Sequence, residues 1–292
     1  MTRYISDYTT REDVSEQLEK SDPGSGVPAP VTAEYTDFVA YVDRAVHAAS
    51  QYISRVTERV FVPYKDTRNY YFNEICLSGA YNTSGGMTTL KLGEDLLVTS
   101  SLTWDGSALS ASYYRERPSN ALPYQSILFD RDNLPSMGTD FDDCIAIVGT
   151  WGYHDNTSQM YTQVDSSVTL ANSTVTSLTV TNAALYRVWQ YIKIEDELLQ
   201  ITARNETTDV LTVVRGVNGT TAAAHSAQAC SVFNPVEDIR IAATRLAAWA
   251  YNNRSDLGTQ LSLPDGSSIK NEIPAFVNET LTRLRRYYVA SG

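Results

Sequence analysis

The clearest helical pattern in the chain lies in residues 32–63, TAEYTDFVAYVDRAVHAASQYISRVTERVFVP. Apolar side chains recur there every three or four residues, which places them along one stripe of a helix of about seven turns. Thr32 is a candidate N-cap, because its side-chain oxygen can accept a hydrogen bond from the first turn. Pro63 ends the pattern, since proline lacks the backbone N–H that a helix needs. The stripe consists of Phe38, Val42, Ala45, Ala49, Ile53, Val56 and Val60.

Strand patterns replace the helical pattern between residues 66 and 153. Apolar and polar residues alternate from Met87 to Leu92, and a further apolar stretch runs from Leu96 to Leu102. Residues 145–153, IAIVGTWGY, are apolar enough for a buried strand. The region therefore predicts a small antiparallel β-sheet.

Residues 156–233 contain a second set of short β patterns, rich in valine and threonine. Their spacing is typical of a small barrel or sandwich. Without them, the strand ending at Tyr153 would lead directly to Pro235, so we interpret this module as an insertion. The predicted strands cover 167–170, 177–180, 191–194, 198–203, 210–214 and 229–233.

Two more helices are predicted towards the end of the sequence. Pro235 opens the first, which has an unusually wide apolar face and ends near Arg254. Pro274 precedes the second, which runs from Phe276 to Val289. Its arginines make this second helix the one locally basic element of the chain.

The first part of the chain predicts an extended arm. Residues 21–30, SDPGSGVPAP, are rich in residues that interrupt helices and strands. A short helix is predicted near Arg11 to Lys20. Such an arm folds poorly alone, but it can become ordered against a partner.

These elements together predict an α+β fold class. A helical core domain, with a long N-terminal helix, two C-terminal helices and a small antiparallel β-sheet, carries an inserted all-β barrel or sandwich module. The expected domains are the extended N-terminal arm at 1–33, the core at 34–155 and 234–292, and the inserted β domain at 156–233.

Composition excludes several classes of protein. The chain has 34 acidic and 23 basic residues, and its net charge of −11 argues against a general nucleic-acid binder. No apolar run approaches the ~20 residues of a membrane span, and the N-terminus lacks the apolar core of a signal peptide. The three cysteines lie far apart in the sequence, which indicates buried thiols in a reducing compartment.

Catalytic chemistry finds little support in the sequence. His47, His154 and His225 fall in three different predicted elements, and none has a second ligand at metal-binding spacing. The sequence also lacks the nucleophile-elbow, phosphate-loop and dinucleotide-binding motifs. We therefore expect no enzymatic activity and no cofactor.

Two acidic clusters offer an alternative to that expectation. Asp140, Asp142 and Asp143 precede the apolar strand, and residues 195–197, Glu-Asp-Glu, separate two β patterns. Acids at alternate positions of a strand share one face and could hold a hard cation such as calcium. The competing interpretation is a solvated turn, with 195–197 at an exposed hairpin tip, and we expect no metal site.

Three segments share the order of their motifs with a known family. They are AASQYISRVTERVFVP at 48–63 with TRNYYF at 67–72, LLVTSSLTWDG at 96–106, and PVEDIRIAATRLAAWAYNNR at 235–254. The family pattern is a helix with a proline exit, a T-R-x-Y strand, an L-L-S-V-T strand that ends in D-G, and a P-x-D-I helix. In this order the segments resemble the head–tail connector (adaptor) proteins of tailed bacteriophages, and the core would be the connector domain.

The resemblance implies a structural protein of the virion neck, made in the host bacterial cytoplasm. Adaptors of this family form rings, commonly of about twelve copies, with cyclic symmetry. They dock beneath the portal protein, extend the DNA channel and present a surface to the stopper or tail-completion protein. The expected partners are therefore the portal, the stopper or tail-completion protein and further copies of this chain. Genomic DNA would pass through the channel without specific binding, and no membrane contact is expected.

The resemblance also suggests interface residues, because each subunit of a ring needs two different contact faces. The wide apolar face of the helix after Pro235 provides the ring-interface candidates Ile239, Leu246, Trp249, Tyr251 and Arg254. The basic and aromatic C-terminal helix provides the portal-interface candidates Phe276, Leu281, Arg283, Leu284, Arg285, Arg286, Tyr287 and Tyr288.

The predicted insert resembles a small β module of phage structural proteins. Residues 213–225, VVRGVNGTTAAAH, match its V-x-R-G-x-x-G-T-x-x-x-x-H signature. In that module the signature is structural and comprises a strand exit, a glycine turn and a loop. We expect Arg215, Gly216, Gly219 and His225 to fix this loop.

Two other classes of function are alternatives. Tyrosine-rich strands and N-x-S/T sequons suggest a carbohydrate-binding or adhesin-like β protein of a virion or cell surface, which would bind glycans but gives no role to the two strong helices. An enzyme with a cleft between the two β regions would need a constellation of polar side chains that the sequence does not assemble.

Overall fold

The computed structural model describes residues 6–18, 33–71, 86–135, 143–254, 261–262, 268–269 and 273–286. By its contacts the chain divides into two compact units. Unit 1 comprises Met1–Glu58 and Gln159–Arg285, and unit 2 comprises Arg59–Ser158 and Arg286–Gly292. The division into arm, core and insert remains a prediction.

Unit 1 contains the α-helices of the described residues. They are α1 (Arg11–Gln17), α2 (Ala33–Thr57), α3 (Glu237–Asn252) and α4 (Ala275–Leu284). α2 packs against α3, and α1 and α4 each contact both of these helices. The predicted apolar stripe of α2 faces this packing, and its buried members include Val42, Ala45, Ala49 and Ile53. Thr10 caps α1 by accepting the Asp13 N–H at 3.1 Å, which confirms the short helix predicted near Arg11.

Unit 2 is built on an antiparallel sheet. Its described strands are β1 (Tyr64–Tyr70), β2 (Met87–Trp104), β3 (Ser107–Ala108), β4 (Tyr114–Arg117), β5 (Tyr124–Asp130) and β6 (Ile145–Trp151). The order across the sheet is β1-β6-β2-β5-β4, and β3 pairs with β2. β2 pairs with β5 mainly along its first half and with β6 along its second half. Large buried side chains of the sheet include Leu90, Ile127, Phe129, Ile147 and Trp151.

Unit 1 contains the second large sheet, also antiparallel. Its described strands are β7 (Tyr161–Leu170), β8 (Ser177–Thr179), β9 (Tyr191–Ile194), β10 (Glu197–Asn205), β11 (Val210–Val214) and β12 (His225–Phe233), while β13 (Leu261–Ser262) and β14 (Ser268–Ile269) pair separately. The order is β7-β12-β9-β10-β11-β8. β7 and β8, at the two ends, also contact each other, so the sheet curls into a half-barrel. The six strands predicted between 156 and 233 are confirmed.

The expected fold class is wrong. The described residues are mostly β, in two large antiparallel sheets, and do not form a helical connector domain with a small β-sheet. One cause is Gly93, which interrupts the apolar pattern in the sequence, whereas β2 continues through it. The other cause is long-range pairing: Tyr70 of β1 pairs with Ile145 of β6. A local pattern does not show how such distant strands extend one sheet.

Candidate functional site

Glu197 is the centre of a buried ion-pair cluster in unit 1. Its side chain, at the start of β10, is 1% exposed. Arg215, which follows β11, donates from Nε to Oε1 and from Nη2 to Oε2, both at 2.7 Å. Burial alone would raise the pKa of Glu197, but the hydrogen bonds from Arg215, His225 and two backbone N–H groups lower it from 4.5 to about 2. The Glu197 carboxylate is therefore ionised at neutral pH in the folded protein.

His225 joins the same cluster from the start of β12. Its Nε2 lies 2.8 Å from Oε2 of Glu197, and its Nδ1 lies 2.7 Å from Oε2 of Glu195. The histidine side chain is 2% exposed, whereas that of Glu195 is half exposed. The imidazole ring therefore links the buried carboxylate to the hairpin between β9 and β10.

Arg215 also fastens the surrounding loops through their backbone. Its Nη1 donates to the carbonyl oxygens of Asn172 and Val175, at 3.0 and 2.8 Å. Its Nη2 donates to the carbonyl oxygen of Ala223 at 2.5 Å. One guanidinium thus connects β10, the segment before β8 and the loop before β12.

The two glycines of the signature differ in their surroundings: Gly216 lies against Glu197, and Gly219 lies at an exposed turn. Gly216 has a φ of +60°, and its N–H donates to Oε1 of Glu197 at 2.9 Å. A Cβ there would lie 3.0 Å from the backbone nitrogen of Ala222, so glycine fits without strain. Gly219 has a φ of +76° and lies at the exposed turn. The structure thus brings Arg215, Gly216 and His225 together on one carboxylate, and Gly219 forms the adjoining turn.

Sequence reasoning missed the role of Glu197. It placed residues 195–197 at an exposed hairpin tip, and Glu195 and Asp196 do form the exposed turn between β9 and β10. Glu197 instead points into unit 1. The signal in the sequence is Arg215, because an arginine inside a structural signature needs a carboxylate partner once it is buried.

A second polar cluster holds the N-terminal segment, which we define as residues 6–18, within unit 1. Asp7, Tyr8, Thr9, Glu12 and Asp13 of this segment are buried. Buried polar groups require hydrogen-bond partners inside the fold. The segment meets that requirement through contacts with α2, α3 and the sheet of unit 1.

Two of the acids in the N-terminal segment form ion pairs with the sheet and with α3. Oε1 of Glu12 lies 3.4 Å from Nε of Arg204 on β10. Oδ1 of Asp13 accepts from Arg187 at 2.5 Å and from Arg240 of α3 at 3.0 Å. The acids thereby connect elements that are far apart in sequence.

The remaining contacts of the segment attach it to the helices. Arg11 donates from Nε and Nη2 to the two carboxylate oxygens of Asp43 on α2, at 2.8 and 2.7 Å. The Tyr8 N–H donates to Ser50 Oγ at 3.0 Å. The hydroxyl groups of Thr9 and of Thr244 on α3 lie 2.6 Å apart.

A cavity of about 350 Å³ lies beside the N-terminal segment in unit 1. Asp13, Arg187 and Arg240 line one part of it, and its aromatic lining includes Trp189 and Tyr191. Both arginines pair with Asp13, and Arg240 also pairs with Glu237 of the lining, so the lining charges are largely compensated. Such a cavity suits a neutral group better than an ion.

The portal-interface candidates lie in different surroundings. Leu281 is buried, Phe276 and Leu284 are partly exposed, and Arg245 covers the Phe276 ring at 4.6 Å. Arg283 forms an ion pair with Asp238, and Arg285 lies 3.7 Å from Glu58.

Arg286 belongs to unit 2. Its side chain is 9% exposed, and its Nη2 donates to the Leu92 carbonyl oxygen at 2.9 Å. Its Nη1 also lies 4.0 Å from Oδ1 of Asp95, so Arg283, Arg285 and Arg286 each lie beside an acid. Tyr287 and Tyr288 lie outside the described residues.

The ring-interface candidates lie on α3, except for Arg254, which follows this helix. Ile239, Leu246 and Tyr251 are buried within unit 1, while Trp249 is partly exposed. Arg254 is exposed and covers the ring of Tyr251, with its guanidinium carbon 4.2 Å from the ring centroid. Contacts with α1, α2 and α4 therefore account for the wide apolar face of this helix.

The other candidate site residues form no common site. His154 is buried in unit 2 and accepts the Asn156 N–H at 3.0 Å. Of the first acidic cluster, Asp143 is exposed, and Asp140 and Asp142 lie outside the described residues. Within the described ranges, no group of three or more His, Cys, Asp or Glu side chains is placed to hold a metal ion.

No helix among the described residues is long and apolar enough to cross a membrane. No protein-family model matches the sequence, and no curated protein matches it.

Proposed function

We propose that this chain is a structural subunit of the neck of a tailed bacteriophage. In this proposal it is a ring-forming adaptor that docks beneath the portal, extends the DNA channel and provides the attachment surface for the stopper or tail. The order of the three connector-like segments and the phage module signature at 213–225 support the proposal.

The observation that carries the proposal is the use of the signature residues. Arg215, Gly216 and His225 all bond to the buried Glu197, and together they close a loop. Every charged group of this cluster has a partner inside the fold. This is how a structural protein uses such residues, whereas a catalyst keeps charged groups available to a substrate.

The charge of the chain suits a channel through which DNA moves. A net charge of −11 in each copy becomes a strongly negative potential when copies assemble in a ring. A wall of that sign repels phosphates, so the duplex is confined without being bound. Replacing channel-facing acids with lysine should therefore slow DNA ejection.

Sedimentation velocity of the purified chain, over a range of concentrations, tests the ring-forming part of the proposal. An adaptor should show either a discrete ring-sized species or a monomer that assembles when portal particles are added. A chain that stays monomeric and does not bind portal particles at any concentration tested would contradict the proposal.

A second candidate is the carbohydrate-binding or adhesin-like β protein, because the chain has two large antiparallel sheets. That class predicts saturable binding on a glycan array and no association with portal particles. The two results together distinguish it from the adaptor.

A further inference from the structure

The contact between His47 and Asp7 joins the N-terminal segment to α2. His47 Nδ1 lies 2.7 Å from Asp7 Oδ1. The Asp7 side chain is 3% exposed, whereas that of His47 is 36% exposed. A buried carboxylate thus depends on a histidine that water can reach, and histidine changes its charge nearest to neutral pH.

The sheet of unit 1 supplies neutral partners to Asp7. Gln200 Nε2 donates to Asp7 Oδ2 at 2.6 Å. The Asp7 N–H donates to the hydroxyl of Tyr191 at 3.0 Å, and burial raises the pKa of that hydroxyl well above 10. Tyr191 therefore stays neutral over the physiological range, and His47 is the bonded partner of Asp7 that can change charge there.

Asp43 and its partner Arg11 also lie near His47, and the exposed Arg44 lies three residues before His47 on α2. Asp43 lies one turn earlier on α2 and accepts from Arg11 and from the indole N–H of Trp189, the latter at 2.7 Å. The Trp189 ring meets the imidazole edge-on, with 4.6 Å between centroids. His47 therefore faces two carboxylates, of which one already has a guanidinium partner.

We propose that His47 and Asp7 form a pH-sensitive latch that holds the N-terminal segment in unit 1 while the imidazole is protonated. The latch loosens as the imidazole loses its proton, because the buried Asp7 carboxylate then loses its bonded cation. A neutral imidazole can still donate one N–H to Asp7, so the contact weakens without disappearing. This inference does not rest on the proposed function.

The direction of the effect follows from the geometry. The hydrogen bond to Asp7 raises the pKa of His47 above 6.5, and the charges of Asp7 and Asp43 add to this, whereas burial opposes it. A raised pKa in the folded state means that the stabilisation is complete below pH 6.5. It is lost as the pH rises through the higher folded value.

Loosening of the latch would uncover the groups that the segment now contacts. These are Ser50 on α2, Tyr191 and Gln200 on the sheet, and Thr244 on α3. The latch would thereby couple pH to the exposure of a polar surface in unit 1.

A thiol probe on α1 can measure release of the segment. Ser15 is fully buried, and its hydroxyl makes no hydrogen bond within the described part of the chain, so Ser15→Cys changes few contacts. Cys76 is replaced by serine in this background, and the other natural thiols, Cys144 and Cys230, are buried. The labelling rate with a dithiodipyridine reagent then reports how often the segment opens.

The decisive quantity is the labelling rate with His47→Gln divided by the rate with His47 present. This ratio cancels the pH dependence of the thiol itself. It should fall by about threefold or more between pH 5.5 and pH 8.5, as expected for a partly exposed ion pair. The labelling rate with Asp7→Asn, divided by the parent rate, should fall in the same way between the two pH values. This variant serves in place of His47→Gln if His47→Gln does not fold.

Arg44→Gln is the matched control, because Arg44 is an exposed residue of α2 near His47. Its labelling should follow that of the parent at both pH values. A His47→Gln ratio that does not change with pH would overturn the proposal. The proposal would also be overturned if the Arg44→Gln rate, divided by the parent rate, fell as much as the His47→Gln ratio. The same holds if the Asp7→Asn rate stayed in constant ratio to the parent rate at both pH values.

Discussion

Arg215 and Glu197 form a two-pronged ion pair, in which Nε and Nη2 of the arginine each lie 2.7 Å from a different carboxylate oxygen. The two side chains are 5% and 1% exposed. A pair with this geometry is both strong and directional. It fixes the end of β11 against the start of β10 and so determines the path of the loop at 215–225.

Removal of Arg215 should therefore be costly. Arg215→Met leaves the Glu197 carboxylate buried without its main partner, and we expect the free energy of unfolding to fall by about 3–5 kcal/mol. Urea denaturation followed by circular dichroism measures this change. Arg44→Met, at an exposed position of α2, should change it by less than about 0.5 kcal/mol. Equal effects of the two substitutions would show that the ion pair does not support the loop.

The low pKa of Glu197 predicts a specific loss of stability in acid. Its folded pKa of about 2 lies below the ordinary 4.5, so the stabilisation is complete above pH 4.5 and disappears as the pH falls through 2. The shift corresponds to about 3 kcal/mol. The difference in unfolding free energy between the natural chain and Glu197→Gln should shrink by that order between pH 6 and pH 2. A difference that does not depend on pH would contradict the prediction.

Gly149 should be essential to the sheet of unit 2. A Cβ at this position would lie 2.5 Å from the backbone oxygen of Val98 on β2. Gly149→Ala must push β6 away from β2, and we expect a loss of about 1–3 kcal/mol. Gly93→Ala is the matched control, because a Cβ there meets no atom within 4 Å. It should leave stability unchanged or raise it slightly. Thermal unfolding of the two variants side by side distinguishes these outcomes.

Arg283 and Arg285 allow a test of the proposed portal contact. Their side chains are 63% and 54% exposed, and exposed ion pairs such as theirs contribute little to stability. The double variant Arg283→Glu, Arg285→Glu should keep its melting temperature and bind portal particles about tenfold more weakly. Arg44→Glu adds the same kind of charge change elsewhere and should bind normally. If the double variant also binds normally, the portal contact lies elsewhere on the chain.

The sequence predicted local elements well because their causes are local. The period of the apolar stripe from Phe38 to Val60 indicated a long helix, which in the structure ends at Thr57, before the predicted end at Pro63. The β patterns of 156–233 located six strands. The long β2 was missed because Gly93 interrupts the apolar pattern. The partnership between β1 and β6 was missed because it depends on residues that are distant in sequence.

In the candidate sites, too, the sequence indicated individual residues but not the distant residues that they contact. The signature residues Arg215, Gly216 and His225 could be selected because residues 213–225 resemble a β module of phage structural proteins. Their acidic partner could not, because Glu197 follows two exposed acids and differs from them only in the direction of its side chain. The partners of the N-terminal segment could not be predicted either, because Asp43 and Arg240 come from helices elsewhere in the chain.

Mass photometry of the chain mixed with portal particles from the same source tests the adaptor proposal most directly. The account predicts that the portal particles gain the mass of about one chain per portal subunit, as cyclic symmetry requires. Portal particles whose mass stays unchanged at saturating concentrations of the chain would contradict it.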